Sequence, residues 1–454
     1  MKKANLQKHL IQHVQNLIQE YNIHTVRLTI TDNSNVIRSR FVPARAFLNA
    51  IQGGTAAQYP SALLAVDSSA ELVPEAGEGF AGGFPSFLLL PDLSTFVVLP
   101  WVPGTARVIA DIVRPDGSLW EAAPRQVLRR VLERLGRRGY TLKGAFEFEF
   151  YVLHKSGPES AHRPVWQGLN CFADSVQIRL TDIFTAIIKG LEGIGAGPEV
   201  ANTEYGPGQF EITNAPFTGL AVADMAVYYR TSIKEILHQL GYSATFMAKP
   251  FPRSSGSGGH FHHSWLNERG ENVFYDPQAA DGLSPLCRRA IAGQLAHAPA
   301  ICALANSTIN SYKRLRPYYF APVNASWGYE HRCTMLRVPF ARGEQTRLEN
   351  RLPAADTNPY LAIAACLAAA LDGVEKELDP PPPVVGQNPY ELSELPPLPD
   401  SLPVALAALE KDAVLQEYLG EEFCRNFLAL RRREWARFQE HVTDWELNEY
   451  LELV

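Results

Sequence analysis

The chain has 454 residues, 46% hydrophobic and 20% charged, enough for a large core and for more than one domain. Its formal charge of −6 leaves no basic footprint for nucleic acid or an anionic membrane. The most apolar run, Phe87-Leu88-Leu89-Leu90, stops at Pro91 and Asp92, far short of the ~20 residues a membrane span needs.

Residues 5–21 place Leu6, Leu10, Val14, Leu17 and Ile18 at helical spacing, which predicts an amphipathic opening helix. Val26 to Ile30 alternates, Asp32-Asn33-Ser34-Asn35 supplies a turn, and 36–42 continues as a strand, with a helical stretch near 44–51. A proline-rich junction at 99–104 closes this unit, so the domains are expected at 1–105 and 106–454. Beyond it, 124–139 reads as a helix and the segment around Glu147 as a strand. Longer helices are expected at 222–240, 284–305 and 358–378, and a final helical section at 415–453. Prolines at 380–383 and 395–403 mark an extended connector. Six scattered cysteines lack metal spacing and read as small buried hydrophobes in a reducing compartment. After Met1-Lys2-Lys3, polar Gln7, Lys8 and His9 stand where a signal peptide would be apolar, so a cytoplasmic location is expected.

Chemistry concentrates in a few motifs. In Phe146-Glu147-Phe148-Glu149-Phe150, strand alternation puts both carboxylates on one face and the rings on the other. Glu204 and Glu211 enclose Gly206-Pro207-Gly208, a tight loop able to hold two ligands rigidly. Each pair alone would ordinarily be a solvated face or an exposed hairpin. Glycines 256, 258 and 259 precede His260 and His262, which share a strand face; such glycines let backbone amides approach a phosphate. Arg314, Arg332, Arg337, Arg347 and Arg351 crowd around Glu349, and guanidinium suits bidentate phosphate or carboxylate contact. Five crowded carboxylates would repel by about 4 kcal/mol per pair at ~4 Å and an effective dielectric near 20. Divalent cations would cancel that repulsion, and oxygen ligands with one imidazole favour Mg²⁺ or Mn²⁺.

In this order the motifs resemble the glutamine synthetase family. The resemblance rests on Pro91-Asp92-Leu93-Ser94-Thr95 with Leu99-Pro100-Trp101, the 147/149 pair and Pro207-Gly208-Gln209-Phe210-Glu211. It continues through Lys249-Pro250 with the glycine loop, 310–315, Glu349-x-Arg351 and Asn358-Pro359-Tyr360. It implies an α+β chain, with a small N-terminal β-grasp domain and a large catalytic domain on a curved antiparallel sheet of the guanido-kinase kind. It also implies a homododecamer of two stacked rings with active sites between subunits. Glu147, His260 and Glu349 would hold one metal, and Glu149, Glu204 and Glu211 another. Arg314 and Arg351 would bind glutamate or the transferred phosphate, with Gly256 and Glu149 also on the glutamate side. Arg332 and Arg337 would meet the phosphates, and His262, Ser264 and Arg347 would lie near ATP. ATP and two to three Mg²⁺ or Mn²⁺ ions are the cofactors implied, and glutamate and an amine the substrates.

The departures matter as much. Where ammonia-using members carry an acid before Ala-Pro, this chain has Phe320, in Tyr318-Tyr319-Phe320-Ala321-Pro322. The family's N-terminal Asp-Gly-Ser-Ser segment is missing, with Tyr59-Pro60-Ser61 near its place, and Ser255 replaces the asparagine before the glycine loop. Loss of both acids should weaken ammonium use. Phe320 beside Tyr318, Tyr319 and Trp327 should favour an organic amine, since ~100 Å² of buried apolar surface is worth about 2.5 kcal/mol. The expected activity is therefore ATP-dependent glutamate–amine ligation. The alternatives are an ammonia-using synthetase and a relative that has lost catalysis; a guanido phosphotransferase fits less well, having no need of two three-ligand metal sites. Tyr390, near a position adenylylated in some bacterial members, reads as a plain loop tyrosine.

Overall fold

The computed structural model describes residues 2–77, 79–155, 163–168 and 171–454. The first sheet contains β1 (Thr25–Thr31), β2 (Ile37–Pro43), β3 (Gln58–Pro60), β4 (Ser86–Pro91), β5 (Val97–Val98) and β6 (Thr105–Val113). Its order is β2-β1-β6-β4-β3, with β5 against β6. β1 and β6 run parallel and the other pairs antiparallel. Val26, Leu28 and Ile30 alternate inward, and Val14, Ile18 and Phe47 of the Lys2–Glu20 and Ala44–Ile51 helices join them in the core. β6 is central to this sheet, so the sheet runs to Val113, past the junction at residue 105.

The second sheet is built from β7 (Thr141–His154), β8 (Pro198–Thr203), β9 (Gln209–Asn214), β10 (Phe217–Thr218), β11 (Tyr242–Thr245), β12 (Gly259–Leu266), β13 (Trp327–Tyr329), β14 (Leu336–Val338) and β15 (Leu348–Asn350). Its order is β13-β14-β15-β12-β7-β9-β8, with β10 and β11 pairing opposite ends of β7. Within this sheet, among the described strands, only the β13–β14 pair is parallel. On one face Phe146, Phe148 and Phe150 are buried against Phe261, Tyr229 and Phe246, with ring centroids 5.2–5.7 Å apart. That packing turns Glu147 and Glu149 to the opposite face.

The Pro359–Glu375 helix is buried along almost its whole length, which explains its run of alanines. It packs on the Pro285–Ala296 helix at a glycine-to-glycine contact. A Cβ on Gly293 would sit 2.0 Å from the Ala369 carbonyl, and one on Gly373 would sit 2.2 Å from that of Arg289. The expected 284–305 helix is two helices, Pro285–Ala296 and Ala298–Ala305. His297 separates them, and Pro299, at the first turn of the second, cannot donate a backbone hydrogen bond to the first. The final section likewise divides into Ala413–Leu419, Glu421–Glu440 and Asp444–Tyr450, the first break falling at Gly420, whose φ is +91°. The connector is extended at 380–383, held along the β13 edge by Val384 N–H on the Trp327 carbonyl at 2.8 Å, but its second proline run gives way at its end to a helix, Leu402–Lys411, with Pro403 in the first turn.

Arg125, in the Pro124–Arg137 helix, ties the first sheet to the Ala221–Gln239 helix. It reaches Asp92 at 2.6 Å, Asp111 at 2.8 Å and Asp224 at 2.8 Å. At the start of the Ala298–Ala305 helix, His297 bridges Asp412 at 2.6 Å and Asp372 at 3.0 Å. All six cysteines are free; Cys287, Cys302, Cys366 and Cys424 are buried, and Cys171 and Cys333 half-buried. No helix among the described residues is long and apolar enough to cross a membrane.

Candidate active site

The carboxylates meet through sheet register. His260 on β12 lies opposite Glu147 on β7, and His262 lies opposite Glu349 on β15. On the other flank of β7, Glu149 lies opposite Glu211 of β9. Glu204 follows β8 at the start of the Gly206-Pro207-Gly208 turn, where Gly208 has φ +73° and Gln209 N–H closes on the Gly206 carbonyl at 2.8 Å. Residues distant in sequence thus converge because neighbouring strands present the same face.

Ligand atoms of Glu147, His260 and Glu349 all lie within 4.8 Å of one another, the one such group among the described residues. His260 Nδ1 is 3.2 Å from Glu147 and 3.6 Å from Glu349. Two carboxylates and an imidazole suit a hard divalent cation, and the buried Nε2 of His262, 3.5 Å from Glu147, has no hydrogen-bond partner among the described residues. Glu149, Glu204 and Glu211 are neighbours that stand further apart. Burial and then the charge on Glu149 push Glu204 up to about 7. Burial and the charges of Glu147, Glu149 and Glu204 push Glu211 higher still. Glu149 itself accepts from Gly258 N–H at 2.6 Å and so is tied to the glycine loop.

Burial would raise Glu349, but the charge of Arg351, followed by His262 and His260, holds it well below the usual carboxylate range. Arg337 donates to it at 2.5 Å and also reaches Glu330. Arg351 donates to Glu349, to the Arg332 carbonyl at 3.0 Å and to the Phe320 carbonyl at 3.3 Å. Arg314 is buried and directed at the Leu352 and Arg351 carbonyls, with His260 3.5 Å away. It braces the loop. The side chain of Arg332 is exposed, and only its carbonyl is tied to the cluster. A Cβ on Gly256 would meet Arg314 Cγ at 2.7 Å, which accounts for glycine there.

Beside Glu147 opens a cavity of about 430 Å³, lined by Lys143, Asn214, His262, Ser264 and Arg347 among others. Arg347 donates to His262 Nδ1 at 3.2 Å. Lys143 and Asn214 were not singled out from sequence; strand alternation from Glu147 back to Lys143 was the available signal. Tyr151 was also missed. Its hydroxyl contacts Ser254 at 2.7 Å and the Ser255 carbonyl at 2.8 Å, joining β7 to the glycine loop.

On the other side of Arg351, Tyr318, Tyr319 and Phe320 are exposed, whereas Trp327 is not. Its ring is buried and its indole N–H donates to the Pro381 carbonyl at 2.7 Å, so it belongs to the core and not to the expected amine pocket. Tyr205 takes its place, stacking on Phe320 with centroids 5.5 Å apart. Tyr390 donates to the Ala321 carbonyl at 3.1 Å and packs edge-on against Tyr318, as a structural loop tyrosine would.

An acidic cage on a curved sheet, ringed by arginines, defines a metal-dependent enzyme of phosphoryl-transfer type. The glutamine synthetase catalytic-domain family matches residues 121–450. A glutamine synthetase of Methanocaldococcus jannaschii is 41% identical over 391 residues, covering 82% of this chain and 85% of its own. A glutamate–isopropylamine ligase of a Pseudomonas species is 36% identical over 460 residues, 98% of this chain and 99% of its own. A solved structure described as a GmaS/ADP complex superposes with a TM-score of 0.84 at 31% identity, covering 96% of this chain and 99% of that one. The chain belongs to the glutamine synthetase family, and it is a glutamate ligase of that type.

Proposed function

We propose that the protein joins the γ-carboxylate of glutamate to an organic amine at the expense of ATP. A γ-carboxylate oxygen attacks the terminal phosphorus of ATP, the bond to the bridging oxygen breaks, and ADP leaves with the electron pair. The amine nitrogen then attacks the γ-carbonyl carbon of γ-glutamyl phosphate, and the C–O bond breaks. Inorganic phosphate departs, and the nitrogen gives up a proton to phosphate or water. Glu147, His260 and Glu349 would hold one divalent cation, and Glu149, Glu204 and Glu211 a second. Such cations stabilise charge on the transferring phosphoryl group. Ser264, His262 and Arg347 line the cavity suited to the nucleotide, with Arg337 and Arg332 toward its phosphates. Arg351 and Arg314, with Gly256 nearby, serve the glutamate side. A ring assembly, a homododecamer, would complete the site between subunits.

The observation that carries the amine reading is Phe320, a half-exposed phenyl ring where ammonia-using members carry an acid. Its backbone is bonded to Arg351, so an acceptor entering there meets the activated carboxylate. Similarity to both a glutamine synthetase and a glutamate–isopropylamine ligase supports the chemistry and leaves two acceptors to compare. The test is phosphate release with glutamate, MgATP and a panel of ammonia, alkylamines, polyamines and anilines. An organic amine should give the highest kcat/KM; ammonia in first place would reject the proposal.

A further inference from the structure

The stacked pair Tyr205–Phe320 joins two parts of the site that sequence keeps far apart. Tyr205 directly follows Glu204 in the metal-side turn, and Phe320 lies on the loop held by Arg351. The rings are inclined by 28° and remain 45% and 47% exposed, so each offers one open face. The loop is also in a costly conformation. Tyr318 and Phe320 have φ of +66° and +53°, a left-handed region that bulky residues rarely occupy. Three hydrogen bonds help hold it there: Arg351 on the Phe320 carbonyl, Tyr390 on the Ala321 carbonyl, and Tyr318 on Glu391 at 3.2 Å. Strain maintained by that many contacts beside reacting groups is a sign of function.

From this geometry we infer that Tyr205 and Phe320 form one aromatic wall of the acceptor subsite, fitted to a primary amine with a compact apolar substituent. The inference rests on the amine-ligase reading and narrows it. Charge selects among the amines. From Tyr312 to Val323 the loop carries no acid; its charged groups are Lys313, Arg314 and Arg316. Lys249 adds a further cation, 4.3 Å over the Tyr319 ring. A diamine would bring a second ammonium toward these cations, where the neighbouring carboxylate, Glu391, is already engaged by Tyr318. A branched alkyl or aryl group instead gains ring contact without desolvating a charge. Tyr205 is then a specificity residue that the acidic motif beside it conceals.

The experiment compares kcat/KM for isopropylamine, aniline, 1,4-diaminobutane and ammonia in the wild type, Tyr205→Ala and Phe320→Glu. The wild type should prefer isopropylamine or aniline over the diamine by tenfold or more. Both variants should lose most of that preference, with the change in KM for the amine rather than KM for glutamate. Phe320→Glu should move in favour of ammonia and the diamine. If the wild type uses an apolar amine and both variants keep its selectivity, the wall is refuted while the ligase reading stands. If the wild type turns over only ammonia, the amine-ligase reading itself fails. Variants that change assembly size in solution, with amine selectivity intact, would make the pair a subunit contact and overturn the inference.

Discussion

Arg351 folds its guanidinium back onto the carboxylate of Glu349, two residues before it. With Arg337 on the other carboxylate oxygen, Glu349 is fully engaged by cations. A divalent ion bound between Glu147, His260 and Glu349 must share that carboxylate with them. Metal affinity at this position should therefore depend strongly on the charge of residue 349. Glu349→Gln is expected to weaken Mn²⁺ binding by tenfold or more in isothermal titration. Equal affinity in the variant and wild type would place the metal elsewhere.

Glu204 offers a test of the second acidic group. Half-buried and close to the charge of Glu149, it is raised from the usual 4.5 to about 7. A carboxyl raised in the folded state keeps its proton there while the unfolded chain has lost it. Its favourable contribution is complete below about pH 4.5 and is lost as pH rises through about 7. Urea titrations of metal-free protein should show wild type losing stability relative to Glu204→Gln across that window. Saturating Mg²⁺ should cancel the loss. Parallel stability curves with and without the ion would mean Glu204 binds none.

His297 reports on the helical layer, away from the chemistry. Burial alone would lower its pKa, but Asp412 and Asp372 together hold it above 6.5. The imidazolium therefore stabilises the fold fully below pH 6.5, and this is lost as pH rises through the folded value. At pH 6, His297→Gln should cost about 3 kcal/mol in denaturant unfolding, as expected when a partly buried ion pair loses one member. The gap between variant and wild type should narrow by pH 9; a constant gap would show that packing, not charge, is responsible.

Arg125 joins three aspartates of different elements. Arg125→Met should destabilise the chain by about 3–5 kcal/mol, because the carboxylates are left buried with their main partner gone. Adding Asp224→Asn should recover part of that loss. A double-mutant cycle measures the coupling, and a value near zero would mean that Arg125 acts through its hydrocarbon stem alone.

The sequence made the strands of the site legible because alternation is a local property. Phe146 to Phe150 showed which face would be acidic, and Gly206-Pro207-Gly208 showed where the chain would turn. What it left hidden was set by distant partners. Nothing local distinguishes Trp327, buried with its N–H on Pro381, from Tyr205, exposed and stacked on Phe320. Nor does an arginine-rich segment say which guanidinium braces backbone, as Arg314 does, and which reaches a carboxylate, as Arg337 does. The break at His297 was readable from Pro299; the continuous apolar pattern across it masked the signal.

The close approach of Gly293 and Gly373 reaches further than helix packing. Gln294, the next residue, accepts from Asn350 at 3.0 Å and contacts His263 at 3.2 Å. Those two residues adjoin Glu349 in β15 and His262 in β12. The gap between two remote helices therefore acts as a spacer for the strands that carry His260 and Glu349: a single methyl group added at 293 would be felt at that acidic cluster, with none of its own side chains altered.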